Sequence, residues 1–235
     1  MTTPKMATER EDKFAYMRAL FADIADTYDL LNRLLSFRRD KGWRRYTALQ
    51  CAPQQGNLIL DVATGTGELA LELARRGSKV IGIDICEKML RRAVRKAGNR
   101  VGFVLAKAEN LPFGDGIFDC VAMSFALRNV SDISQAISEM ERVAKRGSRI
   151  VFLEFSQPLR KWFSMLYRFY LCRVLPLIGT LVSRKKHAYT YLPRSIVEFP
   201  SPQEIRQIME KEGLRDVEIH FLSRGIVAVY VAVKA

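Results

Sequence analysis

The stretch DVATGTGE, residues 61–68, sets an acid ahead of two closely spaced glycines. Gly65 and Gly67 let backbone come close to a ligand where the next helix begins. Further on, GIDI brings in Asp84 and Ile85. An acid at the end of a strand can accept both hydroxyls of a ribose. Two more polar stretches follow apolar runs in the same manner: AKAENLPF, residues 106–113, and SFALRN, residues 124–129. Together they suit the binding of a nucleoside-type cofactor.

GTGELA also fits the degenerate dinucleotide fingerprint G-x-G-x-x-A, so a nicotinamide dinucleotide competes with S-adenosylmethionine. Three features favour S-adenosylmethionine. Asp61 would repel a pyrophosphate but can act on a cationic group. The KAEN turn suits an adenine edge. The chain also closes on a β-hairpin, which dinucleotide domains seldom carry. A plain α/β domain whose glycines only turn the chain is the bland alternative.

These stretches do chemistry only if the fold lines them up. Apolar runs at 58–63, 79–85, 101–108, 118–125 and 149–155 alternate with helical patterns at 68–76, 87–97 and 131–145. Unbroken apolar strands between helices predict a parallel sheet covered on both faces. Ligands then sit outside the carboxyl ends of the strands, where the stretches above fall. Phe14, Met17, Phe21, Ile24, Tyr28, Leu31 and Leu35 recur at helical spacing and predict an N-terminal helical cap over 8–50. Residues 57–155 form the cofactor-binding core, 156–199 an insertion, and 200–235 a helix and hairpin. The expectation is one domain over 1–235 with a mostly parallel seven-stranded, Rossmann-like sheet.

A net charge of +13 suggests an anionic partner, whether nucleic acid, a membrane surface or the cofactor itself. Cys51, Cys86, Cys120 and Cys172 form no C-x-x-C pair, and Cys86 and Cys120 fall in apolar runs as buried small hydrophobes. His187 and His220 are far apart and make a poor metal site, so no metal is expected. The N-terminal residues resemble neither a signal nor a transit peptide, and no apolar run is long enough to cross a bilayer. The expected location is the cytoplasm.

Several segments resemble the ubiquinone/menaquinone biosynthesis C-methyltransferase family: YDLLNRLLSF (28–37), LDVATGTGELA (60–70), NLPFGDGIFD (110–119), SFALRNVSD (124–132), LEFSQP (153–158), VLPLIG (174–179) and YTYLPRSIVEFP (189–200). The likeness covers nearly the whole chain. It implies a class I S-adenosylmethionine-dependent methyltransferase acting on a ring carbon of a reduced polyprenyl quinone precursor, with demethylmenaquinol the favoured acceptor. It implies cofactor contacts at Thr66, Asp84, Lys107, Ala108 and Ser124, to which the residue reading adds Asp61, Gly65, Gly67 and Ile85. It also turns Tyr28, Arg128 and Asn129 toward the quinol. Arg128 would steady phenolate charge or polarise a water, and Glu68 would orient or accept the proton. A salt bridge to a neighbouring carboxylate is the plain alternative for Arg128. Tyr191 and His187 are weaker candidates. The chain departs from the family pattern at Arg33, where an acid is usual, at Asp40, where His is common, at Gln157 in EFSQP, and at Glu68, where Asp is usual.

Other readings compete with this one. An RNA methyltransferase, or one acting on another small molecule, is the runner-up. Against it, no aromatic motif follows strand four to stack a flipped base, and Cys120 is mid-strand, unsuited to attack on a pyrimidine. Nucleic acid is therefore not the expected partner. A regulatory domain that binds cofactor without catalysis is the third reading.

The segment from Phe155 to Val197 has no acid, eight Lys and Arg, and eight aromatics. Lys161, Ser164 and Arg168 form a narrow polar stripe, Pro176 ends the helix, and Arg184, Lys185 and Lys186 add a basic cluster. One reading is a pair of helices that covers the sheet or makes a homodimer contact. The other is a lid and a peripheral surface for anionic lipid, where a polyprenyl quinol would enter.

Overall fold

Ile59, Leu60, Val62, Val121, Ile150 and Phe152 are wholly buried, on both faces of their strands. Such strands need helices on either side, and the computed structural model, which describes residues 4–158, 160–174 and 186–235, supplies them. Three helices come first: α1 (Pro4–Ile24), α2 (Tyr28–Leu35) and α3 (Arg39–Gln50). The alternating core follows with β1 (Leu58–Val62), α4 (Glu68–Ala74), β2 (Lys79–Asp84), α5 (Glu87–Ala97), β3 (Gly102–Leu105), β4 (Phe118–Ser124), α6 (Ile133–Val143) and β5 (Ala144–Phe155). After it come α7 (Lys161–Phe169), which runs into a π-helical turn at Tyr170–Val174, then α8 (Lys186–Val197) and α9 (Pro202–Lys211). The hairpin of β6 (Leu214–Leu222) and β7 (Val227–Lys234) closes the chain.

The seven strands lie in the order β3-β2-β1-β4-β5-β7-β6. Neighbours from β3 to β5 are parallel, and β7 runs antiparallel to both β5 and β6. This is the class I S-adenosylmethionine methyltransferase arrangement expected from the sequence. The carboxyl ends of β1, β2 and β4 therefore share one edge.

Local signals explain where the helices begin. Asp132 caps α6 by accepting from the Gln135 amide, and Ser201 with Glu204 forms a capping box on α9. The pattern over 8–50 gives three helices because the chain turns at 25–27 and again at Ser36–Arg38. Phe37 (φ 51) and Arg38 (φ 63) there are left-handed. β5 begins earlier than its apolar run, at Ala144, and β3 is shorter than its run, covering only Gly102–Leu105. Cys86 and Cys120 are buried as expected. Pro176, Arg184 and Lys185 lie outside the described residues, as do the side chains of Lys161, Lys186 and His187.

Candidate active site

The glycine turn after β1 is held from behind. The Asp61 carboxylate accepts from the Thr64 hydroxyl at 2.6 Å and from the Ala70 amide at 3.0 Å. It is wholly buried, and its other oxygen, Oδ1, has no partner among the described residues. Burial lifts this carboxyl to about 7, with the hydrogen bonds from Thr64 and Ala70 opposing the rise. Gly65 (φ 58) and Gly67 (φ 81) take conformations that favour glycine. A Cβ on Gly82 of β2 would lie 2.9 Å from Thr64, so that glycine lets the turn close against the neighbouring strand.

Asp84 ends β2 and joins this turn. Its Oδ2 accepts from the Gly65 amide at 2.8 Å and its Oδ1 from the Cys86 amide at 2.8 Å. Burial raises it to about 6, against those backbone bonds. Each oxygen keeps a second lone pair for a ligand hydroxyl.

A cavity of about 70 Å³ lies over these strand ends, lined by Gly65, Asp84, Ile85, Ala108, Ser124 and Asn129. Phe14, Met17 and Phe21 of α1 roof it. The Lys13 ammonium donates to the Val130 carbonyl at 2.6 Å and ties the roof to the rim. That volume is below the several hundred Å³ usual for a small-molecule site, because the Phe14, Met17 and Phe21 side chains fill the space over the strand ends.

The remaining cofactor candidates lie around the cavity, not in its wall. Asp61 sits behind the turn, because burial of its carboxylate serves Thr64 and Ala70. The Thr66 hydroxyl donates to Asp29 of α2 at 2.6 Å and is thereby turned from the cavity. Gly67 does not line it; a Cβ there would lie 3.2 Å from Ala93 of α5, so this glycine sets helix packing. The exposed Lys107 ammonium lies 3.9 Å from the centre of the Phe14 ring, on the roof.

The Glu68 carboxylate pairs with Lys96 at 2.9 Å and lies 4.0 Å from Arg33, and it lines neither cavity described here. Lys96 also pairs with Asp29 at 2.5 Å. These charges fasten α2 to α4 and α5. Arg33, where an acid is usual, belongs to the same cluster.

A neighbouring cavity is large, about 850 Å³, and mostly apolar. It lies among α2, α3, α7 with its π-turn, and α8. It meets the smaller cavity at three shared residues, Phe21, Tyr28 and Phe125. Tyr28 thus stands at the boundary where a methyl donor and its acceptor would face each other. Phe125 follows β4 with φ 57, a conformation that costs a bulky residue roughly 1–3 kcal/mol. Its amide donates to the Leu153 carbonyl, and its carbonyl accepts from Arg128 and Asn129.

Arg128 lines the large cavity and pairs with the wholly buried Glu154 at 2.5 Å. The salt-bridge alternative for Arg128 is therefore present. Its Nε, however, is buried without a partner among the described residues. Asn129 lines the small cavity and accepts from the Tyr191 hydroxyl at 3.0 Å. Burial raises the Tyr191 and Tyr167 hydroxyls above the usual phenol range. Glu154, Phe125 and the α1 roof were missed in the sequence. Glu154 lay within a quoted segment, but nothing local marks it as the partner of Arg128.

The sequence pattern of the ubiE/COQ5 methyltransferase family matches residues 6–234. The chain belongs to that family. A ubiquinone/menaquinone biosynthesis C-methyltransferase of Geobacter sulfurreducens is 44% identical over 95% of this chain and 90% of its own. A demethylmenaquinone methyltransferase of Thermus thermophilus is 45% identical over 90% of this chain and 98% of its own. An S-adenosylmethionine-dependent methyltransferase of Thermotoga maritima, described as a possible histamine N-methyltransferase, superposes with a TM-score of 0.68 at 20% identity. That superposition covers 93% of this chain and all of the other. The protein is a methyltransferase that uses S-adenosylmethionine. The residues fit that group: glycine backbone and Asp84 at the strand ends, and the unpartnered Asp61 Oδ1 behind them.

Proposed function

We propose that this ubiE/COQ5-family enzyme methylates a ring carbon of a reduced polyprenyl quinone precursor, with demethylmenaquinol as the acceptor. The observation that carries the reading is the large apolar cavity that meets the cofactor cavity at Phe21, Tyr28 and Phe125. The two curated relatives named above are quinone-pathway methyltransferases by name.

When bound, S-adenosylmethionine supplies an electrophilic methyl group on a sulfonium. The acceptor carbon becomes a nucleophile as its neighbouring hydroxyl loses a proton. Arg128, held in the cavity wall by Glu154, steadies the developing phenolate. Asn129, held by Tyr191, orients the same oxygen, and Tyr28 keeps the ring at the boundary of the two cavities. The closed, apolar surroundings strengthen these interactions by excluding water.

A polyprenyl tail needs a route to lipid. Phe37 (74% exposed), Met165 (72%) and Phe169 (60%) stand out from the surface, and Phe37 and Phe169 also line the large cavity. Arg38, Arg39, Arg168 and Arg173 are exposed on the same segments. Aromatic and basic side chains around a cavity mouth suit an anionic bilayer surface. The described helices include none long and apolar enough to cross a membrane.

The test is mass spectrometry of the quinones from a host lacking its own enzyme and carrying this one. Restored methylation of the demethylated naphthoquinone is expected. Unmethylated quinone alongside active, cofactor-binding protein would remove the reading.

A further inference from the structure

The wall of the large cavity carries a second charged pair that the reaction above does not use. Asp40 and Arg44, one turn apart on α3, pair at 2.8 Å with side-chain exposures of only 8% and 9%. The Ser36 hydroxyl donates to the other Asp40 oxygen at 3.0 Å. Both Asp40 and Arg44 line the cavity. Among the described residues Asp40 is the only hydrogen-bond acceptor of the Arg44 guanidinium. Arginine has five N–H donors, so those of Arg44 that Asp40 does not take stay available to an oxygen in the cavity it lines.

The pair is also placed with respect to Arg128. The Arg44 guanidinium lies 5.3 Å from the Phe125 ring centre, and the Arg128 guanidinium 5.1 Å from that of Phe155. The two rings lie 4.7 Å apart. Two acid-neutralised arginines thus flank one aromatic pair in the wall of one cavity. A 1,4-diol acceptor carries two ring oxygens, one for each arginine.

We propose that Asp40 and Arg44 bind the distal hydroxyl of the acceptor ring, so that the cavity selects a diol over a ring with one oxygen. A hydroxyl fits both partners at once: it accepts from Arg44 and donates to Asp40. An oxidised carbonyl only accepts, and an absent oxygen does neither. The pair accordingly favours the reduced ring, the form that methylation requires. This inference rests on the quinol reading above.

The experiment compares two acceptors with the same short prenyl chain under anaerobic, reducing conditions. One is the naphthalene-1,4-diol; the other lacks the hydroxyl distal to the reacting carbon. For the unaltered enzyme kcat/KM should favour the diol by about tenfold to a hundredfold, since a site built for a hydroxyl rejects the analogue without it. In the double variant Asp40→Asn, Arg44→Met, which leaves no unpaired buried charge, that ratio should fall to within about threefold, with cofactor affinity unchanged. An unchanged ratio in a variant that folds and binds cofactor overturns the proposal. If the variant does not fold, a ratio near one in the unaltered enzyme overturns it equally. Turnover of neither acceptor by the unaltered enzyme removes the quinol reading and this inference with it.

Discussion

At the cofactor end, beneath the α1 roof, the cavity floor meets backbone and short side chains: Ala63, Gly65, Ala106, Ala108 and Ser124. At the acceptor end it meets Leu31, Trp43, Phe155, Tyr170 and the arginines Arg44 and Arg128. The first set hangs on strand ends that the sheet register fixes directly. The second comes mostly from helices distant in sequence, packed around Phe155 of β5 and Arg128 in the turn after β4. The difference teaches how one family can keep its cofactor and tune its acceptor. Strand ends leave little freedom, whereas large side chains on packed helices reshape a cavity without moving the sheet.

Arg128→Met should separate the two ends most sharply. It strands the buried Glu154, so unfolding free energy should drop by about 3–5 kcal/mol in denaturant melts. Adding Glu154→Gln should recover most of that stability while turnover stays lost and cofactor affinity holds within threefold. A single variant as stable as the unaltered protein would show the pair to be solvated and the comparison misdrawn.

Asp84→Asn acts at the other end. The loss of a charged acceptor for the ribose should weaken S-adenosylmethionine by about tenfold to a hundredfold in calorimetry. The large cavity should still bind a quinone analogue. Unaltered cofactor affinity would remove Asp84 from the contact set.

The pH dependence sharpens the contrast further. Asp61 and Asp84 have folded values of about 7 and about 6, raised chiefly by burial. Between their ordinary carboxylate values and these, the folded protein holds more protons than the unfolded one. Ligand-free stability from these groups is thus present at low pH and lost as pH rises from about 4 to about 7. Cofactor affinity should run the opposite way, falling about tenfold from pH 7 to pH 5, because the ionised acids suit ribose hydroxyls and a cation. Parallel slopes for melting and binding would contradict the assignment.

The smallest effect belongs to the cavity mouth. Met165→Ser should weaken co-sedimentation with anionic vesicles severalfold, since this side chain is 72% exposed, available to lipid and outside the cavity lining. Turnover of a short-chain acceptor in free solution should not change. Equal vesicle binding would turn the exposed face away from lipid.

The cofactor side was largely legible in the sequence because its signals are local. A strand, a glycine turn and a helix are consecutive, and the acids at 61 and 84 fall at ends of apolar runs. Even there, sequence does not name the neighbours that hold Asp61 and Thr66, which are Thr64, Ala70 and Asp29. The acceptor side was legible only as a list. Tyr28, Arg128, Asn129 and Glu68 could be singled out, but not the pairing of Glu68 with Lys96 or of Arg128 with Glu154.

By itself the sequence determined the alternating core, the hairpin at its edge, the cofactor turn and the family. Periodicity and turn chemistry act over a few residues and so can be read from a single chain. Tertiary structure alone decided which arginine meets which acid, that α1 roofs the cofactor cavity, and that Phe125 joins the two cavities. Those facts depend on contacts across long stretches of chain, such as Lys13 with Val130 and Arg128 with Glu154. Only the packing of the helices on the sheet sets them.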